Sequence, residues 1–141
     1  MYAFYLHSGV NVNLTLIGEN TLISGGEYAG IHLSYNSSLT IDGSGSLWVK
    51  GGNSEGKGGA GIGGSFGYSN GTVKINGGRI KAEGGYYSAG IGGSNNYGGN
   101  IEINGGIIEA IGGFGAAGIG GGYKSRGGNI EINGGVITAT A

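Results

Sequence analysis

The chain has 141 residues, of which 39 are glycine and none is proline or cysteine, so a disulfide framework and a cysteine-based metal site are excluded. Seven Lys and Arg against eight Asp and Glu give a formal net charge of −1, which argues against nucleic-acid binding by phosphate neutralisation. No apolar run approaches the roughly 18 residues of a membrane-spanning helix, so we expect no membrane insertion.

The high glycine content is typical of collagen, flexible linkers and repetitive β-structure. Collagen needs glycine at every third position together with proline, and proline is absent here. A linker lacks apolar patterning, whereas 38% of these residues are hydrophobic and alternate with polar ones. Glycine also costs about 1 kcal/mol relative to alanine inside a helix. We therefore expect repetitive β-structure without significant α-helix.

The first part of the chain, residues 1–59, contains two degenerate copies of a three-strand unit. In the first copy, alternating apolar residues predict strands at 4–6, 14–16 and 22–24. In the second copy, they predict strands at 29–31, 39–43 and 47–49. This correspondence aligns Leu14 and Leu16 with Leu39 and Ile41, and all four are expected to point inward.

The remainder, residues 60–141, repeats the unit regularly. The sequence Ala-Gly-Ile-Gly-Gly begins at Ala60, Ala89 and Ala117. Each copy continues into an alternating segment such as Ile-Glu-Ile, which predicts a strand with one buried face. That strand ends in an Asn-Gly-Gly turn at residues 76, 104 and 133, where stacked asparagines are expected to have a structural role.

Five stacked units of three strands predict an all-β fold, a right-handed parallel β-helix of about five coils. One coil cannot bury its apolar face alone, whereas stacked coils form a continuous core. The hand follows from the strong right-handed preference of parallel crossovers. We expect a single domain over residues 1–141, and a fragment of a longer repeat protein, because the last coil resembles an interior coil and no signal peptide is present.

Catalysis, metal binding and cofactor binding are not expected. Glu102 and Glu131 fall at equivalent positions of adjacent coils, close enough to resemble a glycosidase pair, but we interpret them as an exposed ladder with Lys74. A similar pair between coils is expected for Lys81 and Glu109. The segment 59–64 matches the dinucleotide fingerprint literally, but it lacks the helix that this motif requires.

The connections on either side of the first strand of each coil carry most of the aromatic residues. Between them, the outward positions of that strand are bare glycines, which mark the close approach of a ligand, a backbone or aromatic rings. Three interpretations remain open: the rings cover the glycines, they bind a sugar, or a second sheet packs on the strip. The candidate residues are Gly61, Gly63, Tyr68, Tyr86, Tyr87, Gly90, Gly92, Tyr97, Phe114, Gly118, Gly120 and Tyr123.

Two other features of the sequence occupy outward positions. His7 and His32 are expected to be neighbours on the outer face of the first strands, as an exposed pair rather than a metal site. Trp48 also falls at an outward position, where it could anchor a partner or a sugar or pack under a loop.

The tandem segments beginning at Ala60, Ala89 and Ala117, with their Asn-Gly-Gly turns, resemble the glycine-rich β-helical repeats of bacterial surface and secreted proteins. Such repeats occur in gut Firmicutes and are often labelled carbohydrate-binding. The resemblance implies an extracellular or cell-surface location and a non-enzymatic role as a stalk or adhesin. It assigns no site residues.

The sequence thus leaves two main functions open. The first is a structural or adhesive module that binds a polysaccharide. The second is a self-assembling solenoid, in which the partner is another copy of the chain or the adjacent coils of a parent protein, joined end to end or through the glycine strip. A polysaccharide-processing enzyme is a distant third.

Overall fold

The computed structural model describes residues 1–68, 70–95 and 97–141. Within these ranges, the chain forms a parallel β-helix of five coils, with β-strands and turns and no α-helix. Each coil contributes one strand to each of three parallel sheets, so the sheets have five strands each. The predicted fold class is therefore confirmed.

Sheet one contains the shortest strands, and sheets two and three contain the longer ones. Sheet one is formed by β1 (Phe4–Leu6), β4 (Ile31–Leu33), β9 (Ile62–Gly63), β12 (Ile91–Gly92) and β15 (Ile119–Gly120). Sheet two is formed by β2 (Asn11–Leu16), β5 (Ser38–Gly43), β10 (Thr72–Ile75), β13 (Asn100–Ile103) and β16 (Ile130–Ile132). Sheet three is formed by β3 (Glu19–Ile23), β6 (Ser46–Lys50), β11 (Arg79–Glu83), β14 (Ile107–Ile111) and β17 (Val136–Thr140).

The core is a set of ladders in which like residues stack from coil to coil. In sheet two, Ile41, Ile75 and Ile103 pair in register and are all fully buried. In sheet three, Ala82 and Ala110 pair in register and are also fully buried. Branched side chains pack well on a pleated wall, and each ladder gains its burial from the coils above and below it.

The first coil differs from the expected register. Val12 and Leu14 pair with Leu39 and Ile41, whereas Leu16 pairs with Gly43. The predicted alignment of Leu14 and Leu16 was therefore wrong by two residues. Leu16 is nevertheless buried, because a shift by two residues keeps the same face of a strand pointing inward.

A polar residue occupies a ladder position in the first strand of sheet three. Asn20 pairs with Leu47, which belongs to the apolar ladder of the inner coils. Its amide donates to the carbonyl oxygens of Ile17 at 3.2 Å and Ser46 at 3.1 Å. These bonds give the amide of Asn20 partners at the end of the stack, where the residue is exposed.

A short antiparallel hairpin interrupts the second coil. It consists of β7 (Asn53–Ser54) and β8 (Lys57–Gly58), joined by a turn in which Glu55 has a φ of 44°. Lys57 places its ammonium 5.6 Å from the centre of the Phe66 ring. The hairpin is an insertion that the repeat pattern did not predict, because it occurs in only one of the five coils.

Candidate functional site

The six glycines predicted to form an open strip are all buried. They are Gly61, Gly63, Gly90, Gly92, Gly118 and Gly120. Their burial means that a second sheet or a ligand has no direct access to them. The aromatic side chains at the edge of sheet one, and not the glycines, form the accessible part of the predicted face.

Close backbone packing explains why these positions are glycine. A Cβ atom on Gly61 would lie 2.6 Å from the carbonyl oxygen of Gly90 and 2.9 Å from the amide nitrogen of Glu83. Gly63, Gly92 and Gly120 have φ values of 135°, 130° and 127°, which residues with side chains rarely adopt. The close approach that the sequence indicated is thus made by the protein's own backbone.

Four of the predicted aromatic residues form one stack outside sheet one, which we call the aromatic face: Tyr86, Tyr87, Phe114 and Tyr123. The rings of Tyr86 and Phe114 stack at 5.4 Å, and those of Tyr87 and Tyr123 stack at 4.3 Å. Tyr86 and Tyr87 also meet edge to face at 4.3 Å. Tyr86 and Phe114 occupy equivalent positions of successive coils, so the β-helix repeat itself aligns their rings. Tyr87 precedes β12 and Tyr123 follows β15 in the next coil, so their stacking is an additional contact between coils.

The outer edge of the aromatic face is open to solvent. Phe114 is 67% exposed although it is apolar. The Tyr123 ring lies beside the Lys124 ammonium at 5.2 Å, which places a cation at this edge of the aromatic face. Tyr97 is also exposed, but the described ring contacts do not place it in this stack.

The sixth predicted aromatic residue, Tyr68, belongs to a separate group around His32. The His32 ring stacks on Tyr5 at 4.8 Å, contacts Tyr2 at 5.1 Å and meets Tyr68 edge to face at 6.0 Å. Its Nδ1 atom lies 3.0 Å from Ser65 Oγ. This imidazole is 1% exposed, and its burial lowers the pKa of His32 to about 4.

The expected exposed pair of His7 and His32 is therefore corrected. In sheet one, His32 pairs with Tyr5 and not with His7. His7 meets the Tyr5 ring edge to face at 4.7 Å. The sequence indicated that His32 faces outward, but it did not show that the N-terminal Tyr2 and the later Tyr68 cover it.

The asparagines after sheet two form the predicted structural ladder. Asn104 donates to Asn76 Oδ1 at 2.9 Å, and Asn133 donates to Asn104 Oδ1 at 2.9 Å. The second amide hydrogen of Asn104 goes to Glu102 at 2.8 Å, and that of Asn133 goes to Glu131 at 3.1 Å. The amide group of Asn104 or Asn133 therefore donates both to the asparagine of the preceding coil and to a carboxylate of its own coil.

The two glutamates that resemble a catalytic pair are engaged in this ladder. Glu102 accepts from Asn104 and forms an ion pair with Lys74 at 3.1 Å, and these contacts lower the pKa of Glu102. A surface hollow of about 490 Å³ lies beside Glu102 and Glu131. A general acid needs a carboxyl group that keeps its proton near neutral pH, and the contacts of Glu102 favour the ionised form.

The charged residues of sheet three are paired differently from the prediction. Lys81 lies 3.2 Å from Glu83, two residues further along the same strand. The predicted ion pair between Lys81 and Glu109 was wrong, although the two residues are neighbours in register. Glu83 also forms an ion pair with Lys50 at 3.4 Å and accepts a hydrogen bond from Trp48 Nε1 at 3.1 Å.

Neither a metal cluster nor a membrane-spanning helix is found in the described ranges. There, no group of three or more His, Asp or Glu side chains has an arrangement that could hold a metal ion. Nor does that part of the chain include a helix of the length and apolarity needed to cross a membrane.

Comparison with known proteins identifies the repeat. Residues 73–95 and 101–123 match the family model described as a beta helix repeat. The first segment covers β10, β11 and β12, and the second covers β13, β14 and β15. Comparison with curated proteins and with solved structures gave no match. The chain is a parallel β-helix, and over these two segments it is similar to the beta helix repeat family.

Proposed function

We propose that the chain is a non-enzymatic structural and adhesive module of a bacterial surface or secreted protein, and that its aromatic face binds glycans. The location follows from the resemblance of the repeats. The adhesive role is supported above all by the aromatic face, in which stacked rings from successive coils end in the exposed ring of Phe114.

The scaffold is suited to presenting such a surface. Backbone hydrogen bonds, apolar ladders and the asparagine ladder all connect neighbouring coils. The ring positions are therefore fixed by the spacing of the strands, which is about 4.8 Å in a β-sheet. A surface that is ordered before binding loses less conformational entropy when the ligand arrives.

The ring chemistry of the aromatic face favours a sugar as the ligand. Tyrosine offers both an apolar ring face and a hydroxyl group that can hydrogen-bond at an interface. Sugars present the complementary combination of apolar C–H faces and hydroxyl edges. Phe114 supplies the most exposed apolar ring, and the neighbouring tyrosines supply the polar groups.

The engagement of the carboxylates supports a non-enzymatic role. Glu102 is held in its ionised form by Asn104 and Lys74, and Glu131 accepts a hydrogen bond from Asn133. Both side chains thus have structural partners in the ladder. Release of fragments from a plant or mucin polysaccharide, lost in Glu102→Gln, would contradict this part of the proposal.

Replacing Phe114 by alanine is expected to weaken glycan binding about tenfold, the loss typical of an exposed anchor residue at an interface. Binding is measured on a glycan array and then by calorimetry with the best ligand. Tyr35→Ala is the matched control, because Tyr35 is 70% exposed and lies outside the aromatic face. Equal losses in both variants, or no glycan bound by the unmodified chain, would contradict the proposal.

A second function is favoured by the exposed side chains of the fifth coil. Ile130 and Ile132 continue the ladders of Ile101 and Ile103, but they are 44% and 52% exposed. Strand β16 has a partner on one side only. Another coil of the same repeat would cover both the side chains and the strand edge. The alternative is therefore a solenoid that associates end to end with a second copy or with further coils of a parent protein.

End-to-end association is expected to make the sedimentation coefficient rise with concentration, and Ile132→Lys should abolish this rise by placing a charge in the contact. Ile107→Lys is the control, since Ile107 is 44% exposed on the outer face of β14, a strand that has a partner on both sides. A chain that stays monomeric at high concentration, or that associates equally in both variants, would contradict the alternative.

A further inference from the structure

A groove of about 520 Å³ crosses the outer face of sheet three, away from the aromatic face. All five strands of the sheet line it, from Glu19 in β3 to Val136 in β17. Five strands at a spacing of about 4.8 Å make the groove about 19 Å long. A groove of this length fits an extended ligand that lies across the strands.

Trp48 is the aromatic residue of this groove, and its indole ring is held in place. The Nε1 atom donates to Glu83 Oε1 in the next coil at 3.1 Å. Glu83 is in turn fixed by ion pairs with Lys50 and Lys81. The ring remains 42% exposed, so it offers a surface whose orientation is set before a ligand binds.

The charges that line the groove are balanced. Two acidic residues, Glu19 and Glu109, stand against two basic residues, Arg79 and Lys81. The basic character of Lys81 is further compensated by its ion pair with Glu83 at 3.2 Å. A polyanion or a polycation would meet both attraction and repulsion along this surface, whereas a neutral ligand would meet only hydrogen-bonding groups.

The remaining lining combines apolar surface with hydroxyl groups. Ile107 and Val136 are 44% and 67% exposed beside the groove. Thr21 and Thr138 lie in the same outward row as Trp48. Such a surface matches a chain molecule with alternating C–H faces and hydroxyl groups.

From these observations we infer that the groove binds a neutral, unbranched oligosaccharide, with Trp48 as the ring on which one sugar stacks. The site lies on a different sheet from the aromatic face and goes beyond the proposed function. Its partners are assigned by position. Trp48 supplies the stacking platform, and Ile107 and Val136 contact the C–H faces of the sugars. Arg79 donates hydrogen bonds to sugar hydroxyl groups, and Glu109 accepts hydrogen bonds from them.

The inference can be tested directly, because Trp48 is the only tryptophan in the chain. The full chain is titrated with linear β-1,4-linked hexamers of glucose and of mannose while the tryptophan emission is recorded. At least one neutral hexamer is expected to change the emission in a saturable manner. By calorimetry, Trp48→Ala is expected to weaken binding by about tenfold or more, and Trp48→Phe by less.

Three controls distinguish binding in this groove from binding elsewhere on the chain and from loss of the fold. Phe114→Ala should leave the change in Trp48 emission intact, and hexagalacturonate of the same length should bind at least about tenfold more weakly than the neutral hexamer. Thermal unfolding of both Trp48 variants checks that the fold is retained. No emission change with either neutral hexamer, unchanged binding in Trp48→Ala, or a preference for hexagalacturonate would overturn the inference. Glycan binding that depends on Phe114 and not on Trp48 would overturn it while leaving the proposed function in place.

Discussion

Gly92→Ala is expected to destabilise the β-helix by about 3 kcal/mol or more, which is a large part of the stability of a small domain. Gly92 has a φ of 130°, and a residue with a side chain held in such a region costs about 1–3 kcal/mol. Its Cβ would also overlap the carbonyl oxygen of Gly120 and lie 3.2 Å from the Gly120 amide nitrogen. These are backbone atoms of the next coil, so they cannot move without disturbing the stack.

The measurement is the midpoint and slope of urea denaturation for Gly92→Ala beside Gly127→Ala. A Cβ on Gly127 would have nothing within 4 Å, and its φ is not among the positive values. This control is expected to change the free energy of unfolding by about 0.5 kcal/mol or less. Similar small effects at both positions would show that the glycines of sheet one are not required by the backbone geometry.

The fold was predictable because two periods coexist in the sequence. The alternation of Val73, Lys74 and Ile75 indicates a strand with one buried face. The same alternation begins again at Ile101 and Ile130, and this longer period indicates the length of one coil. Both signals are local and repeated, so errors in one coil are corrected by the others. The structure follows this pattern closely in residues 60–68, 70–95 and 97–141.

The first coil was less predictable because its pattern permits more than one register. Val12, Leu14 and Leu16 are all apolar and lie two residues apart, so a shift by two residues leaves the same face inward. The choice of Val12 and Leu14 as partners of Leu39 and Ile41 depends on the whole stack. Asn20, a polar residue at a ladder position, also breaks the apolar pattern.

The candidate site was predicted in part. The aromatic face follows from the repeat, since equivalent loop positions must lie above one another, and Tyr86 and Phe114 do so. The glycines gave an ambiguous signal because a missing side chain does not indicate what approaches. The groove at Trp48 depends on its bond to Glu83, 35 residues later, which no local pattern encodes.

His32 was misjudged for a similar reason. Its place in the strand correctly indicates the outer side of sheet one, where Gly63 follows in register. Its burial, however, requires rings from distant parts of the chain, Tyr2 and Tyr68. Contacts of this kind are set by the tertiary fold and not by the periodicity of the sequence.

Lowering the pH from 7 to 5 is expected to reduce the free energy of unfolding by about 2 kcal/mol, and the loss approaches about 3 kcal/mol below pH 4. The pKa of His32 is lowered from 6.5 to about 4 because burial disfavours the charged ring. The unfolded chain therefore takes up a proton at a pH where the folded chain does not. The contribution of His32 to the free energy of unfolding is therefore fully present above pH 6.5 and is lost as the pH falls towards 4. Below pH 4 this contribution no longer changes with pH.

The groups around His32 make this window specific. The described contacts of His32 are with the rings of Tyr2, Tyr5 and Tyr68 and with the hydroxyl group of Ser65, and none of these partners is a carboxylate or an amine. Among the carboxylates, the contacts of Glu102 with Asn104 and Lys74 lower its pKa, so its contribution is lost only at more acid pH.

The test is urea denaturation at intervals between pH 8 and pH 5 for the unmodified chain, His32→Phe and His7→Asn. His32→Phe keeps a ring for Tyr5 and Tyr2 to pack against but removes the titrating group, so it should be less stable at pH 8 and lose much less stability on acidification. The exposed His7 serves as the control, and His7→Asn should keep the full decrease of about 2 kcal/mol between pH 7 and pH 5. A decrease that survives in His32→Phe, or disappears in His7→Asn, would assign the acid sensitivity to a group other than the buried imidazole.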